Sequence, residues 1–169
     1  MKIAIVGSES TGKSQLAEEL ALHFKTLWVK EYAREYLENL QRSYTYDDLS
    51  IIAKKQIELE DELRKNKNNF LFFDTNLIVI KVWSDFKFGK TEPWIIEEIE
   101  KRKYDLHLLC DIDLVWEDDP LREHPHEREK LFAIYKSELE NFRIEYKIIS
   151  GNGTERLKNA ISALTNFRT

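Results

Sequence analysis

The segment from Gly7 to Ser14 reads GSESTGKS and matches the pattern G-x-x-x-x-G-K-[ST] at every fixed position. Glycines in this pattern let the backbone wrap closely around an anion, so that successive N–H groups point at phosphate oxygens. The pattern requires a strand before it and a helix after it. An apolar run over residues 3–6 precedes it, and residues 13–24 follow with apolar side chains on one face. The chain is therefore restricted to α/β folds that hold a phosphate-binding loop (P-loop).

The chemistry of this loop predicts a site for ATP, or a close relative, together with Mg²⁺. We expect contacts to the nucleotide from Gly7, Ser8, Glu9, Ser10, Thr11, Gly12, Lys13, Ser14 and Gln15. The Lys13 ammonium should reach the β- and γ-phosphates, and the Ser14 hydroxyl should take one Mg²⁺ position. The positive end of the following helix dipole adds to the attraction for phosphate. The motif predicts nucleotide binding without distinguishing among the reactions that P-loop proteins catalyse.

Strand and helix patterns alternate along the rest of the chain. Apolar runs predict strands over residues 2–6, 27–29, 70–73, 106–110, 112–115 and 146–149. Helical periodicity predicts helices over residues 13–24, 46–65, 75–86, 93–103, 127–141 and 154–166. This alternation predicts a three-layer, P-loop kinase-like α/β fold, with a mostly parallel sheet and helices on both faces. Because no linker or repeat interrupts the 169 residues, we expect one domain over residues 1–169.

Charge and hydropathy argue against several classes of protein. The net charge is −5 and no basic run stands out, which disfavours nucleic-acid binding. No apolar run approaches the roughly 20 residues of a membrane-spanning helix, and the run over residues 3–6 is too short for a signal peptide. We therefore expect a cytoplasmic protein with no membrane or nucleic-acid partner. The single cysteine, Cys110, lies in an apolar run, which favours a buried and unreactive thiol.

Other sequence features narrow the class of P-loop protein. A GTPase should carry D-x-x-G, which is absent, and N-K-x-D, whose aspartate is missing from residues 66–69, Asn-Lys-Asn-Asn. A large motor or AAA-type ATPase normally needs more chain for its lid, sensors and oligomer contacts. What remains is a compact kinase that phosphorylates a small molecule, and we expect its P-loop core to be an AAA-like ATPase domain.

Such a kinase needs a carboxylate to accept a hydroxyl proton, an acid near Mg²⁺, and lid arginines that stabilise the moving phosphoryl group. Glu31 follows the predicted strand 27–29, and Asp74 ends the strand 70–73. Either could be the base; we favour Glu31, because Asp74 is better placed for the metal. Arg122 and Arg128 lie in the polar stretch 117–130, which we expect to form a mobile loop or lid. The simpler alternatives are a helix cap for Asp74 and surface charge for the arginines.

Four segments together resemble a known family. GSESTGKS, VKEYAREYLE at 29–38, FFDTNLIVIKVWSDFKFGK at 72–90 and DLHLLCDIDLVWEDDPLR at 105–122 resemble the ribosylnicotinamide kinase domain of NadR-type proteins. The resemblance implies transfer of the ATP γ-phosphate to the ribose 5′-hydroxyl of nicotinamide riboside, giving nicotinamide mononucleotide for NAD biosynthesis. It implies acceptor or lid contacts from Glu31, Tyr32, Arg34, Asp74, Trp116, Asp119 and Arg122. Because the P-loop starts at residue 7, we expect no nucleotidyltransferase domain ahead of the kinase.

The implied acceptor carries a cationic pyridinium ring, which favours an aromatic face and nearby carboxylates. The aromatic candidates near the acidic positions are Tyr32, Tyr36, Trp83 and Trp116. We favour Trp116, because the acidic residues 117–119 beside it make deep burial unfavourable.

Two rival functions remain open at this point. One is a kinase for another nucleoside or small molecule, and the other is a regulatory P-loop ATPase that senses or hydrolyses ATP. Two interpretations of Arg156 also remain, since its place after the last strand fits either a contact near adenine or an ordinary helix surface.

Overall fold

A five-stranded sheet runs through the computed structural model, which describes residues 1–167. Its strands are β1 (Lys2–Val6), β2 (Trp28–Val29), β3 (Leu71–Asp74), β4 (Leu106–Cys110) and β5 (Tyr146–Ile149). They lie in the order β2-β3-β1-β4-β5, and every neighbouring pair is parallel. The carboxyl ends of all five strands therefore meet at one edge, where parallel α/β proteins bind ligands.

The helices are α1 (Lys13–His23), α2 (Tyr32–Asn39), α3 (Tyr46–Leu63), α4 (Leu77–Phe88), α5 (Pro93–Lys101), α6 (Arg128–Asn141) and α7 (Thr154–Phe167). Alternate side chains of β1 face opposite sides of the sheet and belong to two different hydrophobic cores. Ile3 and Ile5 pack with α1 and α7 on one face. Ala4 and Val6 pack on the other face with the core residues of α2 to α6. The predicted three-layer α/β fold is confirmed.

Local sequence explains the ends of several helices. The Asn76 side chain caps α4 by accepting a hydrogen bond from the Ile78 amide at 3.0 Å, and α4 ends at Gly89, whose φ is 70°. Pro93 begins α5, as the missing N–H of proline favours at that position. Thr45 and Asp48 form a reciprocal capping box at the start of α3.

Two elements differ from the sequence predictions. Residues 112–115 do not form a strand, because β5 ends beside Cys110 and offers no further backbone to pair with. Conversely, α2 was not predicted, since Ala33 is its only buried residue and an eight-residue helix shows little periodicity. No helix within residues 1–167 is long and apolar enough to cross a bilayer.

Candidate active site

The P-loop connects the end of β1 to the start of α1 in a conformation that depends on two glycines. Gly7 has φ of 145°, and a Cβ atom there would lie 3.1 Å from the carbonyl oxygen of Cys110. Gly12 has φ of 71° and immediately precedes α1. Other residues adopt these φ values only with strain, so the glycines let the loop curl tightly against β4.

Hydrogen bonds inside the loop orient its cationic side chain. The Lys13 ammonium donates to the Ser8 carbonyl at 2.8 Å, and the Thr11 hydroxyl donates to the same carbonyl at 2.8 Å. These bonds hold the Lys13 charge over the loop, at the amino end of α1. Backbone amides, a helix dipole and a lysine on one concave surface form an anion site suited to phosphates.

Three arginines brace the outer side of the P-loop. Arg128 donates to the Ser10 carbonyl at 3.1 Å, and Arg122 donates to the Ser10 hydroxyl at 3.3 Å. Arg156 is 4% exposed, donates to the Thr11 carbonyl at 3.1 Å and pairs with Asp113. Arg156 is therefore a buried brace and not an ordinary residue of the helix surface, while a contact near adenine stays a prediction.

Two carboxylates lie at the ends of adjacent strands. Asp74 ends β3 and is 1% exposed, and Glu31 lies two residues beyond β2. Burial, followed by the negative charge of Glu31, raises the pKa of Asp74 to about 7. Hydrogen bonds from the Ser14 side chain and the Glu31 backbone, with the charge of Lys13, oppose this rise.

This corner of the site has donors suited to Mg²⁺. Oδ1 of Asp74 is buried and has no hydrogen-bond partner within the described residues, while the Ser14 hydroxyl lies within hydrogen-bonding reach of the same carboxylate. Carboxylate and hydroxyl oxygens are hard ligands, and Mg²⁺ usually combines one or two of them with substrate phosphates and water. Ser14 and Asp74 therefore fit a phosphate-bound Mg²⁺.

A cavity of about 440 Å³ extends from the P-loop across the carboxyl edge of the sheet. Glu31, Arg34 and Arg122 contribute charged groups to its lining. Its apolar lining includes Leu37, Val79, Val82, Trp83, Phe86 and Leu131. A pocket that combines an apolar wall with several convergent charges is typical of a small-molecule site.

Tyr135 of α6 also lines this cavity, although the side chain is 4% exposed. Burial, with the nearby charges of Glu31 and Glu9, raises the pKa of the Tyr135 phenol above its ordinary value. The hydroxyl therefore stays protonated and can donate a hydrogen bond into the cavity.

A lid segment, residues 111–127, crosses the cavity between β4 and α6. The Glu9 carboxylate accepts hydrogen bonds from the backbone amides of Glu123 and His124, both at 3.0 Å. Arg34 of α2 forms an ion pair with Asp119 at 2.9 Å. The lid segment is therefore tied to the P-loop at one point and to α2 at another.

Glu123 joins the lid segment to two further elements. Its carboxylate accepts a hydrogen bond from the Tyr44 hydroxyl and pairs with Lys87 at 2.9 Å. The Trp83 indole N–H in turn donates to the Tyr44 hydroxyl at 3.0 Å. These contacts fix Trp83 in the cavity wall.

The structure brings together many, but not all, of the predicted site residues. Every residue from Gly7 to Gln15 lines the cavity, as do Glu31, Arg34 and Arg122. The predicted residues outside that lining are Tyr32, Asp74, Trp116, Asp119 and Arg128. Of these, Asp74 and Arg128 touch the P-loop, and Asp119 reaches the site through Arg34.

The favoured aromatic residue lies in a different place from the one expected. The Trp116 indole N–H donates to Asp118 within the lid segment at 2.9 Å, and Trp83 is the tryptophan that lines the cavity. Sequence reasoning also missed Tyr135 and Tyr44. Tyr135 sits on the buried face of α6, where its periodicity indicates only a core residue.

Comparison with known proteins gives the family. Residues 2–156 match the family described as AAA domain. The chain belongs to this family. The expected AAA-like ATPase domain is thereby confirmed, and its P-loop is the segment that begins at Gly7.

The predicted resemblance to NadR-type proteins is also confirmed. The trifunctional NAD biosynthesis/regulator proteins NadR of Salmonella typhimurium and Escherichia coli are each 31% identical over 124 residues, or 71% of this chain. This chain spans 30% of the length of each of these relatives.

Two solved structures share the fold across 98% of this chain. A NadR protein in complex with NR has a TM-score of 0.84 and 26% identity, with 51% of its chain covered. A NadR protein in complex with NAD and AMP-PNP has a TM-score of 0.80 and 25% identity, with 49% covered.

Proposed function

We propose that this chain is an ATP-dependent kinase that phosphorylates the ribose 5′-hydroxyl of nicotinamide riboside and produces nicotinamide mononucleotide. The observation that carries the proposal is the structural match to a NadR protein bound to NR, the abbreviation of nicotinamide riboside. The match covers nearly the whole chain, so it includes the P-loop, both carboxylates and the cavity wall. Residues 1–169 then form one kinase domain that works on MgATP and takes part in NAD biosynthesis.

The donor half of the reaction belongs to the P-loop. Its amides and Lys13 bind the nucleotide phosphates, and Ser14 with Asp74 holds Mg²⁺. When bound, Mg²⁺ neutralises charge that develops between the β- and γ-phosphates. Arg122 and Arg128 support the loop at Ser10, and we place them close enough to offset charge on the moving phosphoryl group.

The acceptor half belongs to the cavity beside Glu31. Glu31 accepts the proton of the ribose 5′-hydroxyl. At the same time the hydroxyl oxygen attacks the γ-phosphorus in line with the departing ADP oxygen. The cationic nicotinamide ring fits an apolar wall that contains Trp83 and lies near carboxylates. Arg34 and Asp119 hold the lid segment over this half, and Tyr32 begins the helix that carries Arg34.

A comparison of kcat/KM across acceptors tests this assignment. Nicotinamide riboside should exceed adenosine, cytidine, uridine, thymidine and other nucleosides by orders of magnitude, because the pocket combines one aromatic wall with acidic groups. A different nucleoside preferred by a similar margin would replace nicotinamide riboside as the substrate. The cavity extends well beyond the P-loop and so leaves room for an acceptor. This favours a kinase, whether for nicotinamide riboside or for another nucleoside, over a purely regulatory ATPase.

A further inference from the structure

We infer that His107 is a positioning residue for Asp74 and acts through the side chain of Asn76. The inference rests on the proposed function, because it gives Asp74 a supporting group in that reaction. His107 lies on β4 and Asn76 lies between β3 and α4; each is 2% exposed. Nε2 of His107 is 2.9 Å from Nδ2 of Asn76.

The hydrogen bonds of Asn76 fix the direction of this contact. Oδ1 of Asn76 accepts from the Ile78 amide at 3.0 Å, so the amide nitrogen is the group that faces His107. An amide nitrogen only donates, and Nε2 of His107 must therefore accept. The ring proton is thus carried by Nδ1. A charged imidazolium, which has no acceptor atom, could not make this bond.

The surroundings of His107 keep its ring neutral and oriented. Burial lowers the pKa of His107 to about 3, so the ring accepts this hydrogen bond throughout the neutral range. The Tyr104 ring packs edge-on against it, with centroids 5.1 Å apart and an interplanar angle of 71°. His107 is therefore a fixed acceptor behind the β3–α4 junction and does not act as a pH switch.

The junction needs such support because of its backbone. Thr75, between Asp74 and Asn76, has φ of 66°, a left-handed conformation that is rare for a β-branched residue. Its amide donates to the Ile5 carbonyl at 2.9 Å, which secures the side of the junction next to the sheet. The bonds of Asn76 to His107 and Ile78 secure the other side. Together they hold Asp74 where its carboxylate meets Ser14.

Substitutions at both ends of the His107–Asn76 bond test the inference. His107→Leu removes the acceptor at similar volume, and Asn76→Ser keeps a good helix cap while removing the amide donor. We expect each variant to lower kcat and to raise the Mg²⁺ concentration for half-maximal activity by about 10-fold or more, as loss of an outer-shell partner does at metal sites. KM for nicotinamide riboside should change little, and His107→Gln, which restores an acceptor, should recover most of the loss.

A second readout needs no turnover. Calorimetric titration with AMP-PNP should show that Mg²⁺ strengthens binding less in His107→Leu and Asn76→Ser than in the wild type. Leu139→Ala is the control for lost stability, since Leu139 is a fully buried core residue that belongs to neither end of the His107–Asn76 bond. It should lower thermal stability and leave both Mg²⁺ responses unchanged.

The inference is overturned if both substitutions leave the Mg²⁺ responses at the wild-type level, or if His107→Gln is as impaired as His107→Leu. It is also overturned if Leu139→Ala shifts the Mg²⁺ responses equally, because the effect would then follow stability alone. A wild-type protein that binds Mg²⁺ and AMP-PNP without phosphorylating nicotinamide riboside would contradict the proposed function instead. The calorimetric comparison would still decide the role of His107.

Discussion

Glu31 and Asp74 follow neighbouring strands at the same edge of the sheet, close enough that the negative charge of Glu31 helps to raise the pKa of Asp74. The parallel pairing of β2 with β3 places them there, since Val29, two residues before Glu31, lies opposite Phe73, which immediately precedes Asp74. Asp74 is buried against Ser14, and Glu31 lines the open cavity. Their surroundings suit different roles, a metal ligand for Asp74 and a base for Glu31.

Replacing Glu31 should remove the base and leave nucleotide binding in place. We expect Glu31→Gln to lower kcat about 10²–10⁴-fold, the usual contribution of a general base. The affinity for AMP-PNP, measured by calorimetry, should change little. Glu35→Gln is the control, because Glu35 is an exposed acid on α2, the helix that Glu31 immediately precedes. A fully active Glu31→Gln enzyme would transfer the role of base to Asp74.

The raised pKa of Asp74, about 7, predicts the pH dependence of activity at low Mg²⁺. The ionised carboxylate is the form that binds the metal, so kcat/KM should fall as pH drops below about 7. Higher Mg²⁺ favours the ionised form and should move the midpoint to lower pH. A pH midpoint that does not change with the Mg²⁺ concentration would show that a group other than Asp74 controls the pH profile of kcat/KM.

The same pKa predicts an effect on folding. Burial favours the neutral acid, so the folded protein binds the Asp74 proton more tightly than the unfolded chain does. Asp74 therefore lowers stability increasingly as pH rises from about 4 to about 7. We expect Asp74→Asn to raise the Tm at pH 8, without Mg²⁺, by on the order of 5 °C and to abolish activity. The gain should shrink at pH 4, and a loss of stability at pH 8 would contradict this prediction.

Glu9 should help the lid segment to exclude water from the site, so that phosphoryl transfer depends on the acceptor. Glu9→Ala removes both hydrogen bonds to the amides of residues 123 and 124, which should admit water beside the γ-phosphate. We expect slower phosphorylation of nicotinamide riboside and more ADP released without an acceptor. Glu18→Ala, an exposed change on α1, should match the wild type in both assays. If Glu9→Ala released no more ADP than the wild type without an acceptor, the contacts of Glu9 with the lid segment would not be what excludes water.

Tyr135 should contribute to binding of the acceptor. Tyr135→Phe keeps the buried ring and removes the hydroxyl that can donate into the cavity. Loss of one hydrogen bond should raise KM for nicotinamide riboside about 3- to 10-fold, with little change in kcat. Steady-state kinetics checks this, and a selective loss of kcat would assign the hydroxyl to the chemical step.

Sequence predicted the local features of this protein best. The P-loop is a contiguous pattern set by glycine geometry, and the strands that follow show buried apolar runs. Contacts between distant segments could not be predicted from sequence patterns. One example is Arg156, which donates a hydrogen bond to the Thr11 carbonyl although the two residues are far apart in the chain. Trp83 and Trp116 show the same limit, because the fold decides which tryptophan faces the cavity.

Release of ADP from MgATP, measured with and without nicotinamide riboside, tests the central claim most directly. Mass spectrometry should detect nicotinamide mononucleotide in the same samples. We predict that ADP forms rapidly only when nicotinamide riboside is present, with one nicotinamide mononucleotide made for each ADP. ADP released at the same rate without nicotinamide riboside, and no nicotinamide mononucleotide, would contradict the proposed kinase and favour a regulatory ATPase.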